Sequence, residues 1–503
     1  MDILNGFSYL ASNPTALLFV FLAAFAGIIV GALPGLTAAA AIAMVMPITF
    51  YLDPLSALAF LYVVGKSGRF GGSIAAILFN TPGTAASAAT TLDGYPMAAS
   101  GKPGKALKMA TVASVVGDTI GELTLILGAV WIASYTVRFG PPEYFAIYLM
   151  AFIVIGSVVG KSIIRGIVST LIGAFVSLIG LDPITGESRL TMGFLDLESG
   201  FSLVPLLIGI FVITEVLVQV ENKAASMINA ERKTGETDPD ANRLTWAELR
   251  RCIPVMLRST GIGAIIGMLP GLGSSVACFV AYGEEKRRAK NKDEWGTGIV
   301  EGIAAPESAN NAVSGPSMIP LLTLGVPGST IAAILVGVFM IHGIQVGPNI
   351  FNTSRELVFG LFASGLLGIA LYGLIGYFGA PWIGRIVGAV PARLIYPFIF
   401  LTAIVAAYSV RSSIFDVGVA LAFGIVGYLA RRFDFSAPAF IIAFVLAQGA
   451  EMALRQSLLL SDNGAMIFIE RPISLAFLIL AAVVVVARTI GVIRKSRRDA
   501  RNG

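Results

Sequence analysis

Long apolar stretches recur along the chain, separated by short polar turns. The clearest lie at 15–33, 107–135, 144–160, 163–180, 201–220 and 252–269, then at 356–378, 394–410, 414–430, 438–454 and 472–493. Each approaches the roughly 17–25 residues that a helix needs to cross about 30 Å of hydrocarbon. Four further apolar pieces, 36–50, 57–65, 272–282 and 298–309, are too short to cross alone. They read as half-helices, which a membrane tolerates only where protein or a water-filled cavity covers the freed backbone. The pattern predicts an all-α polytopic membrane protein. No basic residue precedes the first stretch and Asp2 is the only charge there, so it reads as a retained helix rather than a cleaved signal.

Within this pattern the chain repeats itself. GALPGL at 31–36 recurs as GMLPGL at 267–272, and AAILFNTPGT at 75–84 matches PLLTLGVPGS at 320–329. The two pairs keep their order, with about nine residues added in the second copy, which argues for duplication. Charge then gives the relative orientation, because basic residues favour cytoplasmic loops. Lys286, Arg287, Arg288, Lys290 and Lys292 follow the second PGL element, whereas 50–56 of the first copy has no Lys or Arg. After the Pro-Gly segments the bias reverses: Lys102, Lys105 and Lys108 in the first copy, none at 347–353 in the second. Inversion requires that reversal; parallel copies would repeat the bias.

The predicted architecture is therefore two inverted-topology repeats, each with a re-entrant Pro-Gly helical hairpin, plus an extra C-terminal helix. Repeat 1 covers 1–221 with its hairpin near 70–92, and 222–251 is a cytoplasmic linker. Repeat 2 covers 252–470 with its hairpin near 310–342, and 471–503 holds the terminal helix and a basic cytoplasmic tail. Counting the short pieces as crossings gives seven per copy, an odd number as inversion demands. The N-terminus then lies outside and the C-terminus inside. Arg138, Arg189, Arg411 and Arg455 fall outside, against the charge rule.

The hairpins carry the candidate chemistry. In Asn80-Thr81-Pro82-Gly83-Thr84 and Gly325-Val326-Pro327-Gly328-Ser329-Thr330, Pro removes an amide donor and Gly permits positive φ, so a helix breaks there. The break leaves N–H groups and a positive dipole end suited to a carboxylate, and carbonyls suited to Na⁺. Paired broken helices in two inverted halves point to a transporter site, with the Pro-Gly tips facing each other near the midplane. The alternative is a pair of proline kinks satisfied by neighbouring helices.

Other positions admit two readings each. Pro34, Gly35 and Thr37, with Gly271, Ser274 and Ser275, either form tight turns or line the site. Glu307, Asn310 and Asn311 mark a cavity or ion pathway, or an exposed membrane-surface turn. Asp118 and Glu122, four apart on one helix face, are a proton or Na⁺ relay or closely packed carboxylates. Lys66, Ser67 and Arg69 either attract an anion or form a basic flank on the inner side. Glu215 and Asp416 are isolated intramembrane carboxylates, and His342 reads as a helix-end residue.

Composition narrows the class. Of 503 residues 56% are hydrophobic and only 13% charged, with net charge +5 and 56 glycines. Soluble chains carry about 25% charged residues. Cys252 and Cys278 lack CxxC spacing, and a single histidine excludes a multi-histidine metal site. With no HExxH or GxSxG, an intramembrane enzyme is disfavoured. No cofactor, no metal beyond Na⁺ at the hairpin tips, and no nucleic-acid partner are expected. A passive anion channel and a stand-alone organic-anion carrier remain open beside a coupled carrier.

The segments GALPGL, GGSIAAILFNTPG, GMLPGLG and PESANNAVSGPSMIPLLTLGVPG closely resemble the large membrane subunit of tripartite tricarboxylate transporters, the TctA type, over nearly the whole chain. Two departures stand out: Phe70 where the family pattern has Tyr, and Gly315-Pro316 where it has Gly-Gly. The resemblance implies ion-gradient-driven uptake of carboxylates, coupled to Na⁺ or H⁺, across the bacterial inner membrane. It also implies two partners, a small four-helix membrane subunit and a periplasmic solute-binding protein. The absence of a P-loop motif agrees with transport that does not use ATP.

Overall fold

The computed structural model describes residues 2–33, 37–136, 139–158, 162–226, 242–389 and 392–486. Pro34, Gly35, Arg138, Lys161 and the basic tail lie outside them. Among the described residues the chain is all-α, apart from the short antiparallel pair Gly180–Leu181 and Ser188–Arg189. Six helices among the described residues are long and apolar enough to cross a membrane: Pro14–Ala32, Pro103–Thr136, Leu203–Glu221, Arg355–Ile386, Ile414–Arg432 and Ala437–Leu459. Gly464–Glu470 and Pro472–Val486, bent by 87°, make a seventh if taken as one span.

Helix starts follow local chemistry. Asn13 and Asp53 cap Pro14–Ala32 and Pro54–Phe79 through their carboxamide and carboxylate oxygens, each with Pro at the first position. Trp246–Met268 opens on a capping box formed by Thr245 and Glu248. It begins inside the stretch assigned to the linker. The piece 57–65 is no half-helix: it lies inside the unbroken helix Pro54–Phe79. Its polar residues interrupt the apolar pattern without interrupting the helix, because they are buried against other polar groups.

The order of elements runs alike in the two halves of the described chain. Pro14–Ala32, Ala38–Val45, Pro54–Phe79, Ala88–Ala99 and Pro103–Thr136 find counterparts in Trp246–Met268, Gly273–Arg288, Val300–Ala312 with Ile319–Leu324, Thr330–Ile341 and Arg355–Ala389. The packing repeats as well. A Cβ at Gly27 or Gly31 would stand 2.7 Å from Val64 O or 2.2 Å from Gly68 O. At Gly263 or Gly267 it would stand 2.5 Å from Ala309 O or 2.9 Å from Val313 O. Glycines four apart thus bring the first and third helices of each copy into backbone contact, the close packing that small residues allow in lipid. Helices of the two halves also pack on one another: Pro103–Thr136 on Val300–Ala312, and Arg355–Ala389 on Pro54–Phe79.

Loops gather in two groups at opposite ends of Pro54–Phe79, which is about 39 Å long at 1.5 Å per residue. At its start, Asn13 donates to Asp53 (3.0 Å) and Arg355 to Asp2 (2.8 Å). At its far end, Asp93 accepts the backbone N–H groups of Gly296, Gly298 and Ile299 and the Tyr282 hydroxyl. There Lys105 pairs with Glu248 at 2.8 Å and Gly104 donates to Asn242.

Of the arginines expected on the outer side, the three described are paired with carboxylates; Arg138 lies outside the described residues. Arg411 grips Asp416, Arg189 pairs with Glu451 at 2.7 Å, and Arg455 pairs with Asp182 at 2.9 Å. The amides of Thr185 and Ile184, with Arg455, hold the Asp182 carboxyl below the usual carboxylate range. Nor are Glu215 and Asp416 isolated carboxylates, since Arg431 and Arg411 pair with them.

Candidate functional site

Each Pro-Gly segment folds back on the helix that precedes it. Asn80 ends Pro54–Phe79 in the left-handed conformation (φ 53°), and Gly325 ends Ile319–Leu324 likewise (φ 73°). The break thus precedes the Pro-Gly pair, which lies on the return. Gly83 donates its N–H to Gly72 O at 3.4 Å, and Gly328 packs against Ser317. In both copies the glycine returns to the residue eleven positions earlier. Past the first fold-back, Gly94 lies against Ile77, so Ala88–Ala99 runs in the same direction as the end of Pro54–Phe79.

The copies differ in one respect. The second limb is interrupted between Ala312 and Ile319, where Pro316 opens a 3₁₀ turn, whereas the first passes unbroken through Gly71-Gly72. The Gly-Pro departure from the family pattern sits at this interruption.

The polar groups of the breaks are partly self-satisfied. Thr84 N–H donates to Ser87 Oγ at 3.0 Å and Ser87 N–H to Thr84 Oγ1 at 3.2 Å. Ser329 Oγ accepts from Ala332 N–H, so Thr330 opens its helix already capped. Thr37 caps Ala38–Val45 in the same way. These hydroxyls serve the helix starts first. Asn80 and Thr81 are exposed, Pro82 is half-buried and Gly83 is buried. Gly271 N–H reaches Gly328 O at 3.3 Å, so the second PGL element touches the second fold-back; Ser274 and Ser275 follow in the first turn of Gly273–Arg288. The close neighbours of Gly83 and Gly328 lie in their own copies: Gly31 and Gly72 for one, Ser317 and Pro320 for the other. The contacts found at each tip are with its own PGL region rather than with the other tip.

A cleft of about 600 Å³ reaches the second break. Tyr144, Tyr148, Leu324, Gln345, Asn349 and Gln456 line it. His342 caps the end of Thr330–Ile341, as a helix-end residue.

A buried polar layer lies beside the fold-backs. Three helices each present a stripe: Tyr62, Lys66, Arg69 and Ser73; Ser114, Asp118 and Glu122; Glu307, Asn310 and Asn311. Spacings of three and four put each set on one helix face. Lys66 Nζ sits 2.6 Å from Asp118 and 2.8 Å from Glu122, all three fully buried. Tyr62 donates to Glu122 at 2.7 Å and Tyr372 to Asp118 at 3.2 Å. Next to them, Glu307 accepts the hydroxyls of Ser73 (2.6 Å), Ser114 (3.0 Å) and Thr90. Asn311 donates to Ser114 Oγ and to Glu307 O.

At two places the layer removes one of the two readings the sequence left open. Lys66 and Arg69 are no basic flank: both are buried within a long helix. Glu307, Asn310 and Asn311 are no surface turn, since Val300–Ala312 is helical and its polar residues are buried. Asp118 and Glu122, paired as their spacing implied, are held by the lysine. What the apolar-stretch reading missed was the stripe at 62, 66, 69 and 73, whose helical spacing was the available signal.

Comparison with known proteins agrees with the motifs. The profile described as "Tripartite tricarboxylate transporter TctA family" matches residues 17–442. An Agrobacterium vitis protein described as "Uncharacterized 52.8 kDa protein in TAR-I ttuC' 3'region" is 34% identical over 504 residues, covering 99% of this chain and 98% of its own. A second protein of that organism, "Uncharacterized protein in TAR-II ttuC' 3'region", is 37% identical over 239 residues, 47% of this chain and 97% of its own. Among solved structures, a manganese transporter of Eremococcus coleocola in complex with an aromatic bis-isothiourea substituted compound aligns over 93% of this chain and 95% of its own. That alignment has 15% identity and a TM-score of 0.12, too low to establish a shared fold. On the profile match and the full-length relative together, the chain belongs to the tripartite tricarboxylate transporter TctA family, a family of transporters.

Proposed function

We propose that the chain is the large membrane subunit of a binding-protein-dependent tripartite transporter that takes up carboxylate anions by alternating access, driven by a Na⁺ or H⁺ gradient. Its partners are a small four-helix membrane subunit and a periplasmic solute-binding protein, and its site is the bacterial inner membrane. The observation that carries this reading is the sealed polar layer, in which Lys66, Asp118, Glu122 and Glu307 are buried where both copies meet the first fold-back. Ionisable groups at such depth are costly and characteristic of substrate or ion pathways. Glu307 bridges the helix that enters the first fold-back and the helix that leaves it, through Ser73 and Thr90. A change in its protonation or cation occupancy would therefore loosen the element expected to move.

Proteoliposome uptake of citrate and succinate, with and without the soluble partner and under imposed Na⁺ or H⁺ gradients, tests this. Uptake that needs the partner and one gradient is expected. Uptake indifferent to both gradients overturns coupled transport in favour of a channel, and uptake indifferent to the soluble partner favours a stand-alone carrier.

The inverted arrangement belongs to the same proposal. Residues 93–105, past the first fold-back, gather with 282–299, past the second PGL helix. Asp53, past the first PGL helix, gathers with the N-terminal region at the other end, as does Arg355, past the second fold-back. Copies of opposite orientation account for that exchange. Single cysteines replacing Ser100 and Asn349, both exposed, are expected to react with impermeant reagent from opposite sides. Labelling of both from one side rules the inversion out.

A further inference from the structure

Arg69 differs from the other charged groups of the layer. Lys66, one turn earlier, is gripped by two carboxylates, and Glu307 collects three hydroxyls. The Arg69 side chain, in a residue only 7% exposed, makes one long hydrogen bond, from Nη1 to Asn310 O at 3.4 Å, and its Nε has no partner. Asn310 is 1% exposed, yet neither its amide nitrogen nor its amide oxygen is paired. Ser308 Oγ and Asn311 Oδ1, on the same helix, are unpaired as well. Buried polar groups are nearly always satisfied, so a cluster of unsatisfied ones requires a cause. A guanidinium present only to balance Asp118 would hold it, as Lys66 does. Instead its Nε stands unpaired, and so does the side-chain amide of Asn310, whose backbone carbonyl it reaches.

The cluster adjoins the first fold-back. Ser73, one turn after Arg69, shares Glu307 with Thr90. Cys278 donates to Pro306 O, one turn before Asn310, and packs on Ala86 and Ala89 just past the Pro-Gly pair. We propose that Arg69 and Asn310 form the receptor for a carboxylate group of the transported anion, which reaches them when the first fold-back moves aside. The planar fork of the guanidinium matches two carboxylate oxygens, and the Asn310 amide adds a third donor. The inference rests on the reading of the chain as a carboxylate carrier.

The test uses the full-length chain, purified for thermal unfolding with and without citrate and reconstituted with its partners for uptake. Citrate raises the wild-type Tm. In Arg69→Gln the protein elutes and unfolds as a folded species, but the citrate-dependent rise disappears and the KM for uptake increases at least about tenfold. Arg69→Lys, keeping charge without the fork, falls between, and Asn310→Ala weakens the rise. A purely structural role would lower the Tm without citrate and leave the citrate increment intact. Wild-type KM and wild-type increment in Arg69→Gln overturn the proposal; if that variant does not fold, the same result in Asn310→Ala does so. If the wild-type protein neither transports nor is stabilised by citrate, succinate or acetate, the carrier reading itself fails.

Discussion

Replacing Gly83 or Gly328 by valine is expected to abolish uptake while the protein still inserts into the membrane at normal abundance. A Cβ at Gly83 would stand 2.5 Å from Gly31 O and 2.9 Å from Gly72 Cα. At Gly328 it would stand 2.6 Å from Ser317 O. These neighbours are backbone on closely packed helices, so no side-chain rotation relieves the clash. Overpacking of this kind costs about 1–3 kcal/mol and moves backbone. Here the backbone that moves is the fold-back itself. Insertion depends on the length and apolar character of the long helices, whose own sequences neither substitution changes. Gly261→Val supplies the control: its Cβ meets nothing within 4 Å, and uptake is expected to persist. Immunodetection in isolated membranes beside initial uptake rates checks both halves. Normal uptake in Gly83→Val and Gly328→Val would remove the fold-backs from the transport path.

Lys66→Met is expected to destabilise the folded protein by about 3–5 kcal/mol, the usual cost of removing one partner of a buried ion pair. Asp118 and Glu122 would face each other without the ammonium that now lies within 2.8 Å of both. The loss should appear as low recovery of monodisperse protein after detergent extraction and a lowered Tm. A triple variant, Lys66→Met with Asp118→Leu and Glu122→Met, removes the charges together and is expected to recover most of the yield, because no uncompensated ion remains. Its transport separates structure from mechanism. Recovered folding without uptake assigns the triad to ion coupling, whereas recovered folding with uptake makes it a packing device. A single Lys66→Met protein as stable as the wild type would contradict the buried pairing.

Much of the architecture was legible in the chain. Helices follow from apolar stretches of spanning length, and the like order of elements in the two halves accompanies two matched motif pairs. The positions where each limb ends were legible too, since Asn80 and Gly325 are residue types that tolerate the left-handed conformation they adopt. Even the close packing of first and third helices was foreshadowed by glycines four apart at 27 and 31, and again at 263 and 267.

The chain's hydropathy misled where polar residues sit inside a buried helix. Lys66 and Arg69 cut the apolar run 57–65 short, so the stretch resembled a half-helix with a basic flank. Hydropathy averages along the sequence and cannot register that Asp118 and Glu122, far along the chain, supply the opposite charge. The same limit applies to Glu307. Its three hydroxyl donors come from three other helices, and nothing local distinguishes that arrangement from a polar turn.

By itself, then, the sequence determined the helical membrane class, the recurrence of two motif pairs in one order, the places where each chain limb breaks, and the family. These are local or periodic properties, set by transfer of apolar side chains into lipid and by the backbone preferences of Pro, Gly and Asn. Only the tertiary structure decided that the Pro-Gly segments fold back to the residue eleven positions earlier, and that one helix carries both a gripped lysine and an ungripped arginine. Those outcomes depend on which helix faces which across the junction of the copies. In a low-dielectric interior a buried charge is stable only beside its partners, and the partners are distributed over the whole chain.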